Sequence, residues 1–375
     1  MKRIYLVFWV LLVYLGCSAP TDQTAEVFQQ RLYLLQQKYA PDLTLNVFDF
    51  SLKKENGNWV LRGETTVPEA RQAVEQMVDS LLSGYTVRKE VVLLPHPQLG
   101  DSNYAIVRVA VANLREEPRH SAQLVDQTVM GSILRLLKNR QGWYLVQTGY
   151  GYLGWMRKES FVHTNRQGVQ AWRNAKLVRV TALFTQIFQQ ASEQSTPVAN
   201  TVMNGVLQQI GNRGSWVQVR LPDDRKGFIR KSDVTENLNH YPIGDELREA
   251  IVKTAYRMMG VPYLWGGNSS VGSDCSGFTR TVFMANGIPL PRDARQQAMV
   301  GWEVNPEKDF SNLLPGDLLF FGTDDRITHV AISLGGTEYI HQSGDVHINS
   351  LNPHSEIFSA YRFNTLKKIK RVLPE

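Results

Sequence analysis

Three side chains near the C-terminal end have the types and the order of a nucleophilic enzyme site. Cys275 stands between Asp274 and Ser276, His329 follows in a hydrophobic stretch, and His341 comes one segment later. A cysteine thiolate attacks carbonyl carbon, one imidazole can serve as its base, and a second polar side chain can orient that base. We therefore predict acyl-transfer chemistry with Cys275 as nucleophile, His329 as base and His341 as the orienting residue.

A short helix is predicted to position the cysteine. Apolar residues recur at helical spacing from Cys275 onward, and Asn286-Gly287 is a typical C-terminal stop. Ser273 or Asp274 can act as the N-cap, which puts Cys275 in the first turn. Unpaired backbone N–H groups and the helix dipole favour the thiolate there. We therefore expect the thiol pKa to lie below its free value of about 8.5.

Two strands are predicted to carry the histidines. Residues 327–332 alternate with period two, which places His329 and Ala331 on one face and Val330 on the other. Because Ala331 is small, we expect the cysteine helix to pack against its face. Residues 339–342 predict the next strand, from which His341 can hold the second ring nitrogen of His329.

Other interpretations exist for each of these residues. A buried cysteine is usually an inert hydrophobic residue, and His329 can be a core histidine whose hydrogen bonds are satisfied. Cys275 nevertheless lies in a polar, glycine-rich setting, which favours the nucleophile. Zinc is a further alternative for Cys275, His329 and His341, but they include no short-range ligand pair such as Cys-x-x-Cys. We therefore predict neither a metal nor a cofactor.

Five motifs in a fixed order carry a resemblance to a known family. They are Tyr-x-Trp-Gly-Gly from Tyr263, Asp-Cys-Ser-Gly-Phe from Asp274, Pro-Gly-Asp-Leu from Pro315, Thr-His-Val-Ala-Ile from Thr328, and His-Gln at His341. The pattern resembles the NlpC-type cell-wall endopeptidases, a bacterial branch of the papain-like fold, and covers about residues 244 to 375. The resemblance implies a papain-like α+β domain, with helices first and an antiparallel sheet after them.

The resemblance also implies roles for residues around the cysteine. Tyr263 would lie near the thiol, and Trp265 would form a wall of the pocket. An aspartate and a serine beside the cysteine, with a second aspartate from a later loop, would hold the free amino group of the substrate. A surface ion pair is the alternative for Arg292 and Asp293. The substrate-binding residues implied in this domain are Tyr263, Trp265, Asp274, Ser276, Arg292 and Asp293.

The activity implied by the resemblance is peptidoglycan hydrolysis. The bond would be the amide between γ-D-glutamate and meso-diaminopimelate or lysine in stem peptides with a free N-terminal L-alanine. This is the γ-D-glutamyl-L-diamino acid endopeptidase, or dipeptidyl-peptidase VI, type of reaction. It releases L-Ala-D-Glu and belongs to wall turnover or recycling. One alternative is a wall-binding lipoprotein with an inert peptidase fold, and another is an amidase or acyltransferase on the same fold.

The N-terminus predicts export. Lys2 and Arg3 precede an apolar run from residue 4 to 15 that is too short to span a bilayer, and Gly16-Cys17 resembles a lipobox. We expect residues 1–17 to be a lipoprotein signal peptide, with Cys17 lipidated and the protein anchored to a membrane of the cell envelope. A plain signal peptide is the alternative. With Cys17 acylated, Cys275 stays a free thiol.

The bulk charge narrows the possible partners. The formal net charge is +6, with 43% hydrophobic and 20% charged residues. This excess suits anionic stem peptides but is too small and too scattered to indicate nucleic acid. We expect a peptidoglycan stem peptide as the partner and a monomeric protein.

An internal repeat predicts the domain organisation of this multidomain α+β chain. A shift of 73 residues aligns Trp143 with Trp216 and Gly154 with Gly227, which predicts two copies of one β-barrel unit that resembles a bacterial SH3 domain. The predicted boundaries are 18–95 for a small α-β-β-α-β domain weakly similar to BON modules, 96–168 and 169–240 for the two barrels, and 241–375 for the peptidase.

The first barrel is also implied to contribute to the site. In relatives with this architecture, one barrel leans over the peptidase cleft and lends it a carboxylate and a tyrosine. The matching residues here are Glu117 and Tyr152. Ordinary barrel core and solvated rim is the alternative for both.

Overall fold

Residues 20–238 and 241–373 are described by the computed structural model. The predicted signal peptide, with Cys17, lies outside the described residues. Contacts divide the chain into two units, one up to Leu94 and one from Pro95 onward. In the described part of the chain, no helix combines the length and the apolar character needed to cross a bilayer.

The first unit is a three-stranded sheet covered by two helices. Its strand order is β1-β2-β3, with β1 and β2 antiparallel and β2 and β3 parallel. Phe28 of the first helix and Val74 of the second share one core with Leu61 of the sheet. The elements are α1 (Pro20–Tyr39), β1 (Phe48–Glu55), β2 (Asn58–Thr65), α2 (Pro68–Leu81) and β3 (Val87–Leu93).

The connection between β1 and β2 is a tight hairpin. The two strands pair up to Glu55 and Asn58, which leaves a two-residue turn of Asn56 and Gly57. Asn56 and Gly57 have φ values of 49° and 86°. A type I′ hairpin turn requires a positive φ at both of its central residues.

The next two sheets each have seven strands. The strands of the first are β4 (Tyr104–Val107), β5 (Val111–Arg115), β6 (Leu124–Val129), β7 (Ile133–Arg140), β8 (Trp143–Thr148), β9 (Leu153–Arg157) and β10 (Phe161–Thr164). After α3 (Arg166–Asn174), the strands of the second are β11 (Leu177–Val180), β12 (Phe184–Phe188), β13 (Pro197–Val202), β14 (Val206–Arg213), β15 (Trp216–Arg220), β16 (Lys226–Arg230) and β17 (Val234–Thr235).

The second of these sheets repeats the first strand for strand. The first has the order β10-β4-β7-β8-β9-β5-β6, and the second has β17-β11-β14-β15-β16-β12-β13. Corresponding strands begin 73 residues apart, from Tyr104 and Leu177 to Phe161 and Val234. The structure therefore contains the repeat that the sequence predicts. The boundaries at 168 and 240 stay predictions, because both sheets belong to the same unit as the last domain.

The last domain packs helices against a six-stranded sheet of order β20-β25-β21-β22-β23-β24. Its helices are α4 (Gly244–Arg257), α5 (Cys275–Ala285), α6 (Ala294–Gln297) and α7 (Ala360–Thr365). Its strands are β18 (Asn268–Ser269), β19 (Gly272–Ser273), β20 (Trp302–Glu303), β21 (Leu318–Thr323), β22 (Arg326–Gly335), β23 (Glu338–Ser343), β24 (Asp345–Ser350) and β25 (Leu366–Arg371).

Helix α5 packs against the face of β22 opposite to the one expected. Phe278 and Val282 of the helix share a core with Val330 and Ile332, whereas Ala331 belongs to a separate cluster on the other face. The expectation that Ala331 makes room for the helix is therefore wrong. The physical reason is that two β-branched side chains offer the helix more apolar surface to bury than one alanine does.

Candidate active site

The cysteine lies at the first residue of α5 and touches strand β22. Asp274 is the N-cap, and its side chain accepts a hydrogen bond from the backbone N–H of Gly277 at 2.7 Å. The Cys275 side chain is 8% exposed. The backbone N–H groups of Val330 and Ser276 donate hydrogen bonds to its sulfur. The sulfur therefore lies beside the backbone of Val330, the residue that follows His329.

Two glycines allow the backbone to close around the cysteine. A Cβ at Gly277 would stand 2.0 Å from the carbonyl oxygen of Gly267, so a side chain there would push α5 away from the preceding loop. Gly266 has a φ of 73°, and a Cβ on it would lie 2.3 Å from the carbonyl oxygen of Leu124 in β6. Both positions need glycine because another backbone passes within contact distance.

Burial determines the protonation of the thiol. Loss of solvent raises the pKa of Cys275 to about 11, and the negative charge of Asp274 adds to the rise. The hydrogen bonds from Val330 and Ser276 lower the pKa but do not offset the burial. The expectation of a lowered pKa is therefore wrong, because the dipole of one helix end is weaker than the desolvation of a nearly enclosed sulfur.

A relay of three side chains runs away from the thiol across neighbouring strands. His329 Nε2 lies 2.8 Å from His341 Nδ1, and His341 Nε2 lies 2.9 Å from Asn349 Oδ1. Asn349 in turn donates from its amide to the carbonyl of Ile357 at 3.1 Å. The structure thus brings His341 to the predicted base and adds Asn349, which the sequence reasoning missed. The period-two pattern of β24, which puts Asn349 on the face of His347, was the available signal.

The hydrogen-bond partners assign the proton positions along this relay. The carbonyl of Ile357 can only accept, so Asn349 turns its NH₂ towards Ile357 and its oxygen towards His341. That oxygen also only accepts, so His341 carries its proton on Nε2 and presents the lone pair of Nδ1. His329 therefore donates from Nε2, which leaves its Nδ1 unprotonated and able to take a proton from the thiol.

Both histidines are neutral near pH 7. Burial holds the pKa of His329 well below its usual value of 6.5, and the positive charge of Arg362 lowers it further. Burial also lowers the pKa of His341 to about 3, with His347 contributing. Together with the raised pKa of Cys275, these shifts leave the proton on the sulfur and His329 as an uncharged base before any reaction begins.

The residues flanking the cysteine belong to a buried network around Arg292. Arg292 is 2% exposed and donates to both oxygens of Asp274 at 2.7 and 3.1 Å and to the hydroxyl of Ser276 at 3.0 Å. The backbone N–H groups of Gly266 and Gly277 also donate to Asp274. The alternative of a surface ion pair does not apply to Arg292. These hydrogen bonds give Asp274 and Ser276 a positioning role around the thiol, and their contact with substrate stays a prediction.

The first barrel completes this network. Arg292 Nε donates to Asp126 in β6 at 2.7 Å, and Asp126 is fully buried. Tyr150 donates to the other oxygen of Asp126, and the Asn268 amide donates to the first at 3.0 Å. Sequence reasoning missed Asp126 and Asn268. The signal for Asp126 was a charged side chain within a predicted strand, because such a residue needs a partner if it is buried.

Of the two residues predicted from the barrel, one meets the peptidase domain. The hydroxyl of Tyr152 donates to Asp293 at 3.2 Å, and burial raises the pKa of Tyr152 above its usual range. Asp293 also forms an ion pair with Arg295 at 3.2 Å. Glu117 instead pairs with its neighbour Arg119 at 2.9 Å, and its side chain is 54% exposed.

Two aromatic residues, Tyr263 and Trp265, lie in the loop that precedes α5. Tyr263 is partly exposed, and its backbone N–H donates to Gly344 at 2.8 Å. Burial raises the pKa of Tyr263 to about 12, and the charge of a Cys275 thiolate adds to the rise. The Trp265 side chain is 63% exposed, as a residue on a cleft wall is expected to be. The roles of both residues stay predictions.

Arg362 places a positive charge near the reacting groups. Its guanidinium lies 5.6 Å from the ring centre of Phe321, and the Phe321 ring in turn lies 5.8 Å from the His329 ring. Burial lowers the pKa of Arg362, and the phenols of Tyr339 and Tyr361 partly oppose that shift. Sequence reasoning missed this residue, because no motif surrounds it.

The site offers no grouping suited to a metal ion. Within residues 20–238 and 241–373, no three side chains of His, Cys, Asp or Glu gather closely enough to hold a metal. The relay histidines already bond to one another and to Asn349. This chain of hydrogen bonds suits proton transfer.

Comparisons with known proteins agree with this geometry. Residues 260–366 match the NlpC/P60 family, and residues 110–162 match the bacterial SH3 domain. A dipeptidyl-peptidase 6 from Lysinibacillus sphaericus is 28% identical over 263 residues, which cover 68% of this chain and 94% of that protein. A gamma-D-glutamyl-L-lysine dipeptidyl-peptidase from Bacillus cereus is 29% identical over 230 residues, which cover 58% of this chain and 67% of that protein.

A solved structure supports the same assignment for the fold. An NlpC/P60 family protein from Bacillus cereus superimposes with a TM-score of 0.63 at 25% identity, and the match covers 72% of this chain and 100% of that one. The match therefore covers more of this chain than residues 260–366 alone. The chain therefore carries an NlpC/P60 domain and, before it, a bacterial SH3 domain.

Proposed function

We propose that this chain is a cysteine peptidase of peptidoglycan that cuts the amide between γ-D-glutamate and a diamino acid in stem peptides. The observation that carries the proposal is the meeting of Cys275, at the start of α5, with the strand that bears His329 and its relay. The names of two relatives, a dipeptidyl-peptidase 6 and a gamma-D-glutamyl-L-lysine dipeptidyl-peptidase, support the substrate class. The diamino acid is meso-diaminopimelate or lysine.

The first half of the reaction forms a thioester. His329 Nδ1 takes the thiol proton as the Cys275 sulfur bonds to the amide carbon, and the carbonyl oxygen becomes an oxyanion near the backbone N–H of Cys275. The resulting His329 imidazolium continues to donate its Nε2–H hydrogen bond to Nδ1 of His341. It then passes the Nδ1 proton to the amine of the diamino acid as the C–N bond breaks, which leaves the acyl group on sulfur.

The second half returns the enzyme to its starting state. His329 removes a proton from water, and the hydroxide attacks the thioester carbon. The C–S bond breaks, the sulfur regains its proton from His329, and L-Ala-D-Glu leaves with a new carboxylate. His341, which Asn349 holds in place, stays hydrogen-bonded to Nε2 of His329 throughout the reaction. Nδ1 of His329 therefore serves both proton transfers.

We place the free amino group of L-alanine at the edge formed by Tyr152 and Asp293. Asp293 is a partly exposed carboxylate, and the phenol of Tyr152 fixes one of its oxygens. A carboxylate held in this way is a suitable partner for an ammonium group. Glu117 is the carboxylate that the first barrel is implied to lend to the cleft, and we propose that it also faces this amino group. Its solvent-exposed pair with Arg119 is weak enough for an ammonium to compete.

The remaining domains complete the proposal. We propose that the second seven-stranded sheet is a second SH3-like barrel, because it repeats the first strand for strand, and that residues 20–94 form a separate α/β domain. The sequence of residues 1–17 supports export, lipidation at Cys17 and anchoring in the cell envelope. Cys17→Ser is expected to move the protein from the membrane fraction to the soluble fraction.

A defined tripeptide tests the reaction. The chain is incubated with L-Ala-γ-D-Glu-meso-diaminopimelate, or its lysine analogue, and with the same peptide acetylated on L-alanine. Mass spectrometry is expected to find L-Ala-D-Glu and the free diamino acid from the unmodified peptide only. Deamidation or acyl transfer would not give these two fragments.

Cys275→Ala is the matched control for this experiment and is expected to abolish the release. If L-Ala-D-Glu is still released after complete alkylation of Cys275, the mechanism is wrong. Equal rates on the free and acetylated peptides would instead contradict the amino-group site at Tyr152 and Asp293 while leaving the peptidase reaction standing.

A further inference from the structure

A cavity lies where the two barrels and the peptidase domain meet, on the side of α5 away from the cysteine. It has a volume of about 370 Å³, which is within the usual range for small-molecule sites. β6 and β7 form one wall, the turn before β14 forms a second, and the C-terminal half of α5 forms the third. None of the reacting side chains proposed above lines the cavity, although Tyr150 and Asn268 of its lining also hydrogen-bond to Asp126.

One side chain of the cavity wall is a buried cation without an anionic partner. Arg280, the sixth residue of α5, is 8% exposed. Its guanidinium stacks on the Tyr150 ring at 3.6 Å, and its Nε is buried without a hydrogen bond. Among the described residues, no carboxylate forms an ion pair with it. Burying an arginine without a counter-charge is unfavourable unless another group supplies one.

The rest of the lining has no negative charge and is largely apolar. Arg173 of α3 adds a second cation at the rim, and none of the described lining residues is an aspartate or a glutamate. Met203, Val206 and Met284 supply apolar surface, so the cavity combines a cationic end with an apolar body.

We propose that this cavity binds a small organic carboxylate with an aliphatic chain, with the carboxylate on the guanidinium of Arg280. The planar guanidinium can donate two parallel hydrogen bonds to such a group. The stacking on Tyr150 presets its orientation, so little side-chain freedom is lost on binding. The aliphatic chain of the ligand packs against Met203 and Met284.

Methionine NMR tests the proposal with hexanoate as the probe and hexanol as the uncharged control. The whole chain is labelled at its methionine methyl groups, and the two cavity resonances are assigned with Met203→Leu and Met284→Leu. Hexanoate is expected to shift both resonances saturably at millimolar concentration, and hexanol is expected to bind at least 10-fold more weakly. No saturable shift with hexanoate up to 50 mM overturns the proposal.

Two variants test separately the charge of Arg280 and the free volume of the cavity. Arg280→Met keeps an unbranched side chain against Tyr150 but removes the charge, and it is expected to weaken hexanoate binding at least 10-fold. Met284→Trp fills the cavity from its exposed rim and is expected to abolish binding even if Arg280→Met does not fold. Arg157→Met, at a surface arginine that stacks on Trp143, is the matched control and is expected to bind as the wild type does. Unchanged binding in a folded Arg280→Met or Met284→Trp protein contradicts the assignment.

Discussion

The relay that orients His329 predicts a specific defect in Asn349→Ala. The substitution removes the oxygen that accepts from His341 Nε2 at 2.9 Å, and His341 is almost fully buried. Leaving that N–H without an acceptor costs about 1–3 kcal/mol. His341 avoids the cost by moving its proton to Nδ1. His329 must then accept at Nε2 and carry its own proton on Nδ1, where it can no longer act as base.

The same energy sets the size of the kinetic effect. A bias of about 1–3 kcal/mol towards the wrong tautomer lowers kcat about 5- to 150-fold, since about 1.4 kcal/mol corresponds to a factor of ten. KM for the tripeptide is expected to stay within about twofold, because Asn349 has no place in the proposed substrate contacts. ¹⁵N NMR of the histidine rings is expected to show the exchange of protonated nitrogens directly.

Two further variants make the test decisive. Asn349→Asp keeps an acceptor for His341 and is expected to recover most of kcat, whereas Asn352→Ala removes an asparagine that hydrogen-bonds only within its own turn. Asn352→Ala is therefore the control for general disturbance of the loop. An Asn349→Ala protein with wild-type kcat, or one in which KM alone changes, would refute the tautomer assignment.

Three other perturbations have defined outcomes. Arg292→Gln leaves the buried carboxylate of Asp126 without its cation. The substitution is expected to lower the free energy of unfolding by about 3–5 kcal/mol. Urea denaturation measures this, and a loss under about 1 kcal/mol would contradict a buried network. Because burial lowers the pKa of His341 to about 3, the unfolded state binds more protons below pH 6.5. Stability is therefore expected to fall by up to about 1.4 kcal/mol per pH unit from pH 6.5 towards pH 3, and to fall less steeply in His341→Gln; equal slopes would exclude this histidine as a source. We propose that Arg362, the cation beside the relay, pairs with a carboxylate of the substrate. Arg362→Met is therefore expected to raise KM about 10-fold for the tripeptide but not for an analogue with amidated carboxyl groups. Equal effects on both substrates would show that Arg362 does not bind a carboxylate.

Short-range patterns of the sequence determined the local structure of the site. Asp274 was one of two predicted N-caps for the cysteine helix, and the strands predicted around residues 327–332 and 339–342 are present as β22 and β23. The 73-residue shift predicted a repeated unit, and corresponding strands keep that spacing throughout. These features follow from neighbours along the chain, because helix capping, period two and repetition are all encoded within a few residues or one repeat.

Only the tertiary structure decided which groups surround the sulfur and what they do to it. Asp126 and Arg292 are 166 residues apart, and their ion pair exists because the first barrel closes over the loop before α5. Enclosure by the sheet raises the pKa of Cys275, although the position at a helix start by itself favours the opposite shift. Desolvation and buried charge pairs depend on surfaces that folding brings together from distant segments. No local pattern of residue types specifies those surfaces.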